Sequence, residues 1–353
     1  METQSDGTMM AVLKATPAPG LTVTRAPIPA LGSRDVLVKV RAASICGTDL
    51  HIRDWDHWAQ GRIRPPLIVG HEFCGTVAAV GPAVTQTSVG TFVAVEGHIA
   101  DGTCYQCRTG NPHICENLVI VGVDRPGCFA EYVAVPETNV YALDPGLKTE
   151  VAAILDPFGN AVHTTLSGEV AGLSVVVVGS GPIGCCAVAV ARAVGASVVF
   201  ATDIRALRLD LAKKMGADRT IDSTKEDPVE VVKRETGGHG ADVVLEMSGH
   251  PEGVRQGFRL LRRGGRISLL GIPSQAVSLD LAEDIIFKGA TVLGINGRRI
   301  WQTWYEGQAL LRSGKVDLSP LITHSLPLAE IETGIELLRR GEAAKVILHP
   351  PGV

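Results

Sequence analysis

The chain has 353 residues, enough for two domains at roughly 150 residues each. Hydrophobic residues make up 45% and charged residues 20%, with 40 glycines and no repeat or low-complexity segment, which excludes a collagen-like, coiled-coil or disordered chain. The net charge of −4 offers no general positive field, so neither nucleic acid nor a membrane is expected as a partner.

The opening stretch METQSDGTMMAVLKATPAPG carries acids and lacks the apolar run of ~7 to 15 residues that an export signal needs, so a cytoplasmic location is expected. From about Gly32 to Val140, short apolar runs alternate with Gly, Pro and Asp: DVLVKVRAAS, GTVAAVG, TFVAVEG, CFAEYVAVPE. This pattern predicts β-strands in an irregular, mostly antiparallel unit. Beyond Asp156 the texture becomes strand, helix, strand: SVVVVG, an Ala-rich helix to Gly195, SVVFATD, RALRLDLAKKMG, ADVVLEMSG, PEGVRQGFRLLRRGG and RISLLGI, with TVLGIN as a sixth strand. Such alternation predicts an α/β fold with a doubly wound parallel sheet. Val170 to Ala191 reaches membrane-spanning length without a charge, yet Gly172, Gly179, Gly181, Pro182 and Gly184 divide it into a buried strand and a following helix. WQTWYEGQALLRSG, IETGIELLRRGEA and AKVILHP then predict helices and a final strand that folds back onto the first domain.

Between the SVVVV strand and its helix, Gly179, Gly181 and Gly184 form GxGxxG. The first glycine permits a tight turn, the second lets the backbone approach a pyrophosphate, and the third lets helix and strand pack closely. Asp203 closes the next strand, where a carboxylate binds ribose hydroxyls and repels a 2′-phosphate, favouring NAD over NADP. Arg205 and Arg208 nearby are the groups that could instead pair with a 2′-phosphate.

Of the 8 cysteines, most precede residue 130, and in a cytosolic chain such clustering reads as metal binding. Asp101, Cys104, Cys107 and Cys115 form DxxCxxCx7C, whose three thiols need a fourth ligand to close a tetrahedron. The alternatives are a structural zinc with the Asp101 carboxylate as fourth ligand, or an empty or labile site. A second group is spread further: Cys46 in SICGTDLH, His71 and Glu72 in VGHEFCG, and Asp156 in LDPFGNAVH. Singly, each reads as an ordinary buried or salt-bridged residue.

Taken together, the chain resembles the zinc-dependent medium-chain alcohol and polyol dehydrogenases over residues 9–349, through ICGTDLHI, VGHEFCG, EGH, GSGPIG, LEMSG and RISLLGIP. GVDRPGCFAEY, DPFGNAVH and the region from TWYE to PLITH resemble the members that oxidise L-threonine. The resemblance implies a GroES-like, mostly β catalytic zinc domain over residues 1–160, a Rossmann NAD-binding domain over 161–297, and a return of 298–353 to the catalytic domain. It implies that Cys46, His71 and Glu72 ligate a catalytic zinc, that Asp156 assists beside it, and that Thr48 and His51 relay a proton to solvent. Implied cofactor contacts are Ile183, Asp203, Arg208, Leu270, Gly271, Ile272, Ile295 and Asn296. The implied reaction is oxidation of the secondary alcohol of L-threonine by NAD to 2-amino-3-oxobutyrate, in a homotetramer. A polyol or other secondary-alcohol dehydrogenase on the same scaffold, and a non-catalytic module binding zinc and a nucleotide, are the alternatives. Two positions depart from the family pattern. Asp101 stands where the first of four structural cysteines is usual, and Asn296 where the threonine-oxidising members commonly carry Tyr.

Overall fold

The structure, a computed structural model, describes residues 7–352. The first six residues, part of the stretch read above for an export signal, lie outside the described residues. The chain divides into two compact units, one comprising the residues up to Asp156 with those from Ile322 onward, the other Pro157–Leu321.

The first unit is built on a seven-stranded sheet. Along strand Asp35–Ser44 every second residue from Val36 to Val40 is buried, the period-two pattern of a sheet with one face on a core. This strand is flanked by Glu72–Val80 and by the returning strand Lys345–His349, both antiparallel to it, and also pairs with Tyr132–Pro136. The return strand in turn pairs parallel with Ile322–Pro327. Val38, Val40, Phe73, Val77, Val93, Phe129, Ile335, Val346 and Leu348 fill the core, so residues from both ends of the sequence share one apolar cluster.

The second unit carries a six-stranded parallel sheet in the order Arg219–Asp222, Val198–Asp203, Ser174–Val178, Ala241–Glu246, Leu261–Leu269, Thr291–Gly294. All five residues of Ser174–Val178 are buried, which explains the uncharged stretch found in the sequence: it is this strand followed by helix Pro182–Ala193. No described helix is long and apolar enough to cross a membrane. The strand order reverses beside Ser174–Val178, placing the crevice at the end of that strand next to Gly179.

The return to the first unit begins at Ile322, later than the residue 298 expected from the sequence. Helix Gln302–Arg312 packs within the second unit instead, with Gly307 so near Phe158 that an added Cβ would come within 3.0 Å of its ring. Residues 157–160 likewise fall in the second unit.

Candidate functional site

In the first unit, Cys46 sits at the entry to helix Gly47–Asp54, and its backbone N–H donates to the Asp49 carboxylate at 2.8 Å. His71 and Glu72 come from the turn into strand Glu72–Val80. That turn requires Gly70, whose φ is +92° and where a Cβ would come within 2.4 Å of the Phe129 ring. Ligand atoms of Cys46, His71 and Glu72 all lie within 4.8 Å of one another, so residues far apart in sequence present thiol, imidazole and carboxylate to one point.

The electrostatics of this cluster fit a cation. Burial works against a charged His71, but the Cys46 thiol, Asp49 and Asp156 outweigh it and push the imidazole up to about 10. The same acidic surroundings that favour positive charge on His71 would favour a divalent ion, whose binding competes with that proton. The Nδ1 of His71 and the Oδ1 of Asp49 are both buried without a hydrogen-bond partner, 3.9 Å apart. Burial foremost, with Glu72 adding, pushes Asp49 up to about 6 against the opposing pull of His71. Burial alone would raise Glu72 as well, yet Lys345 and His71 hold it below the usual carboxylate range. Thiol, imidazole and carboxylate are zinc donors, and three protein ligands leave a fourth position for substrate.

Around this cluster, Thr48 Oγ1 lies 3.8 Å from Cys46 Sγ. Asp156 is buried and its charge is felt by His71. His51 sits further out on the same helix, its side chain 60% exposed, with Nδ1 2.5 Å from Asp56 Oδ2 and its ring edge-on to Trp58. Asp49, Asp56 and Lys345 were not singled out from the sequence. Asp49 carries a readable signal, a side-chain acceptor three residues after the start of a helix; Lys345 carries none.

The expected second metal group also assembles. Ligand atoms of Asp101, Cys104, Cys107 and Cys115 lie within 4.8 Å of one another, with Cys104 Sγ 3.8 Å from Cys115 Sγ. Asp101 Oδ1 accepts from the N–H groups of Thr103 and Cys104 at 2.7 and 3.0 Å, and Oδ2 from the Asn117 amide at 2.6 Å. Those bonds, the Asn117 amide first, hold the Asp101 carboxyl well below the usual carboxylate range. Hydrogen bonds from the backbone of Cys107 and Glu116 lower the Cys104 thiol.

In the second unit, Gly179 has φ +89° and Gly181 precedes helix Pro182–Ala193, whose first turn no side chain caps. The entry to this helix is open beside Gly181, where a Cβ would meet nothing within 4 Å, as a helix N-terminus that receives a phosphate requires. Gly179, Gly181, Asp203 and Arg208 line one cavity of about 590 Å³, together with Ser223, Met247, Ser248 and His250. Asp203 Oδ2 accepts from Ser180 N at 2.9 Å, and its Oδ1 from Ile204 N and Arg205 N. Arg208 Nη1 stands 3.5 Å from Asp203 Oδ2. Ile183 and Gly184 lie in the first turn of the helix. Leu270 and Gly271 donate to Glu246 O, and Ile295 to Leu269 O, so 270–272 and 295–296 follow the ends of neighbouring strands, outside the lining of that cavity.

Comparison with known proteins agrees with this geometry. Residues 32–145 match the alcohol dehydrogenase GroES-like domain, and residues 182–313 match the zinc-binding dehydrogenase model. L-threonine 3-dehydrogenase of Symbiobacterium thermophilum is 52% identical over 344 residues, covering 97% of this chain and 98% of that protein. The chain belongs to the zinc-binding alcohol dehydrogenases. Among solved members of that family, alcohol dehydrogenase TADH from Thermus sp. ATN1 superimposes with a TM-score of 0.89 at 33% identity, covering 97% of this chain and 99% of that one. A putative zinc-binding dehydrogenase from Sinorhizobium meliloti 1021, solved bound to NADP, gives 0.89 at 31% identity over 98% and 100% of the two chains. As a zinc-binding dehydrogenase, the chain holds its zinc-type donor set in one unit and its dinucleotide loop in the other.

Proposed function

We propose that this chain oxidises the C3 hydroxyl of L-threonine with NAD, yielding 2-amino-3-oxobutyrate. The carrying observation is the Cys46, His71 and Glu72 donor set in a chain 52% identical, over 97% of its length, to an L-threonine 3-dehydrogenase. Bound at those three residues, zinc would contribute Lewis acidity toward an alcohol oxygen, whose ordinary pKa of roughly 16 otherwise withholds its proton at neutral pH. The nicotinamide is the hydride acceptor.

The residues around these groups have separable tasks. Asp49, 3.9 Å from Nδ1 of His71, adds negative charge beside the imidazole without a hydrogen bond to it. Lys345 keeps Glu72 ionised, and Asp156 adds negative charge beside the imidazole. The Thr48 hydroxyl, beside Cys46 Sγ, accepts the substrate proton, and His51, exposed and bonded to Asp56, passes it to solvent. The uncapped first turn of Pro182–Ala193 receives the pyrophosphate. Asp203, held by Ser180 N, takes the ribose hydroxyls, and a 2′-phosphate would meet its carboxylate, which supports NAD. Leu270, Gly271, Ile272, Ile295 and Asn296 supply the nicotinamide side of the site.

We place a second, structural zinc at Asp101, Cys104, Cys107 and Cys115, supported by four convergent ligand atoms and a carboxylate already fixed by three hydrogen bonds. A homotetramer in the cytoplasm completes the reading. Support for self-association is the edge strand Thr291–Gly294, paired on one side only, beside exposed Ile286 and Phe287.

The test is NADH formation followed by absorbance with L-threonine, L-serine, sorbitol and 2,3-butanediol, each with NAD or NADP, before and after chelation and zinc restoration. Zinc-dependent NAD reduction selective for L-threonine is expected. Activity on polyols or diols alone would overturn the substrate, and silence on every alcohol would overturn the catalytic reading of Cys46, His71 and Glu72.

A further inference from the structure

The parallel sheet of the second unit has two ends, and only one holds the dinucleotide features. Gly179 and Ser248 follow the carboxyl ends of their strands, and Asp203 is the last residue of its own. The opposite end gathers a different chemistry. Lys233 lies in the last turn of helix Pro228–Glu235, and His239 just before strand Ala241–Glu246. Arg259 ends helix Pro251–Leu260, Arg262 and Arg263 open strand Leu261–Leu269, and Lys288 precedes strand Thr291–Gly294. Because these three strands are neighbours and parallel, the six side chains meet around one cavity of about 460 Å³ with no acidic residue in its lining.

Part of this charge is accounted for locally. Arg259 pairs with Glu252, and Arg262 with Asp242 at 2.5 Å. Lys288 donates to the carbonyls of Phe258 and Leu261, at the carboxyl end of a helix where a cation is favoured. Lys233, His239 and Arg263 have no acidic partner among the described residues. Burial lowers the Lys288 ammonium, the nearby Asp284 carboxylate works against that, and Lys233 adds a smaller lowering, as expected of two neighbouring cations. This concentration of unneutralised positive charge sits in a chain whose net charge is −4, so it is no sample of a generally basic surface.

We propose that this cavity is a second anion site, built for a compact polyphosphate, a small molecule carrying two or three linked phosphate groups. The arginine fork of Arg263 matches phosphate oxygens bidentately, and Lys233 supplies a second point charge across the cavity. A ligand with several linked charges answers several cations at once, whereas a single carboxylate answers one.

The experiment is titration calorimetry of the zinc-loaded enzyme with inorganic tripolyphosphate, in saturating NAD so that the dinucleotide loop is already filled. One tripolyphosphate per chain is expected to bind. The doubly substituted Lys233→Ala/Arg263→Ala enzyme should bind at least roughly tenfold more weakly. Lys315→Ala, which removes an exposed cation elsewhere in the same unit, should change affinity by less than about twofold. Should the double variant fail to fold, Arg263→Gln alone reads the same loss. Absence of binding under saturating NAD, or equal weakening by Lys315→Ala, overturns the proposal.

Discussion

Lys345 Nζ lies 2.5 Å from Glu72 Oε2 with both side chains buried, joining the strand that follows His71 to a strand 273 residues later. Removing one partner from such a pair leaves an uncompensated interior charge. Lys345→Met is therefore expected to destabilise the metal-free protein by about 3 to 5 kcal/mol, read by urea unfolding, and Glu72→Gln/Lys345→Met to recover much of that loss. The pH dependence has a defined sign. Glu72 is held below its ordinary 4.5, so its contribution is present above that value and lost as pH falls through the folded value. Lys345 is raised above 10.5, so its contribution is complete below that value and lost as pH rises through the folded value. The gap between wild type and Lys345→Met should accordingly narrow on acidification, as the orphaned Glu72 becomes neutral.

His51 and Asp56 give a kinetic prediction. His51→Gln removes the exposed proton acceptor while leaving the buried donor cluster intact, so kcat at neutral pH should fall by roughly 10²-fold or more and recover as hydroxide rises. Asp56→Asn, which keeps a polar group 2.5 Å from the ring, should have a smaller effect. An unchanged pH–rate profile in His51→Gln would remove His51 from the proton path.

The glycines of the dinucleotide loop separate binding from folding. A Cβ on Gly184 would come within 2.0 Å of the Gly179 carbonyl oxygen, so Gly184→Ala should destabilise the second unit by roughly 1 to 3 kcal/mol. A Cβ on Gly181 meets no protein atom, so Gly181→Ala should unfold like wild type while its KM for NAD rises. Thermal melts and initial rates on the same two preparations decide between these effects.

Asp101 predicts a metal count. Metal analysis should find two zinc ions per chain, falling to one in Cys115→Ser. Asp101→Ala should loosen the second zinc by roughly 10- to 100-fold, whereas Asp101→Cys should retain it. One zinc per chain in the wild type would leave Asp101 as a turn-forming residue alone, a task its bonds to Thr103 and Cys104 already perform.

What the sequence made legible was local. GSGPIG reads as strand, turn and helix because all three glycine tasks lie within one turn of chain, and Asp203 because the neighbouring parallel strand ends beside it. Cys46, His71 and Glu72 look ordinary singly, and their convergence depends on an antiparallel pairing of Asp35–Ser44 with Glu72–Val80 that no spacing encodes. Lys345 stood inside AKVILHP as one cation in an apolar strand, its partner set by tertiary pairing. The later return at Ile322 has the same origin, since the contact of Gly307 with Phe158 is not visible in the helical period of WQTWYEGQALLRSG.

The interior place of Lys345–His349 in the first sheet has a consequence for biosynthesis. The second unit is continuous in sequence and has all its strands once residue 321 has left the ribosome. The first unit, although begun earlier, still lacks the strand that lies between Asp35–Ser44 and Ile322–Pro327. The usual order of folding during synthesis is thereby inverted, with the later-begun unit free to fold first. Until residue 345 arrives, Glu72 has no Lys345 ammonium to face, and a nascent or prematurely ended chain would carry Cys46, His71 and Glu72 on an unfinished sheet.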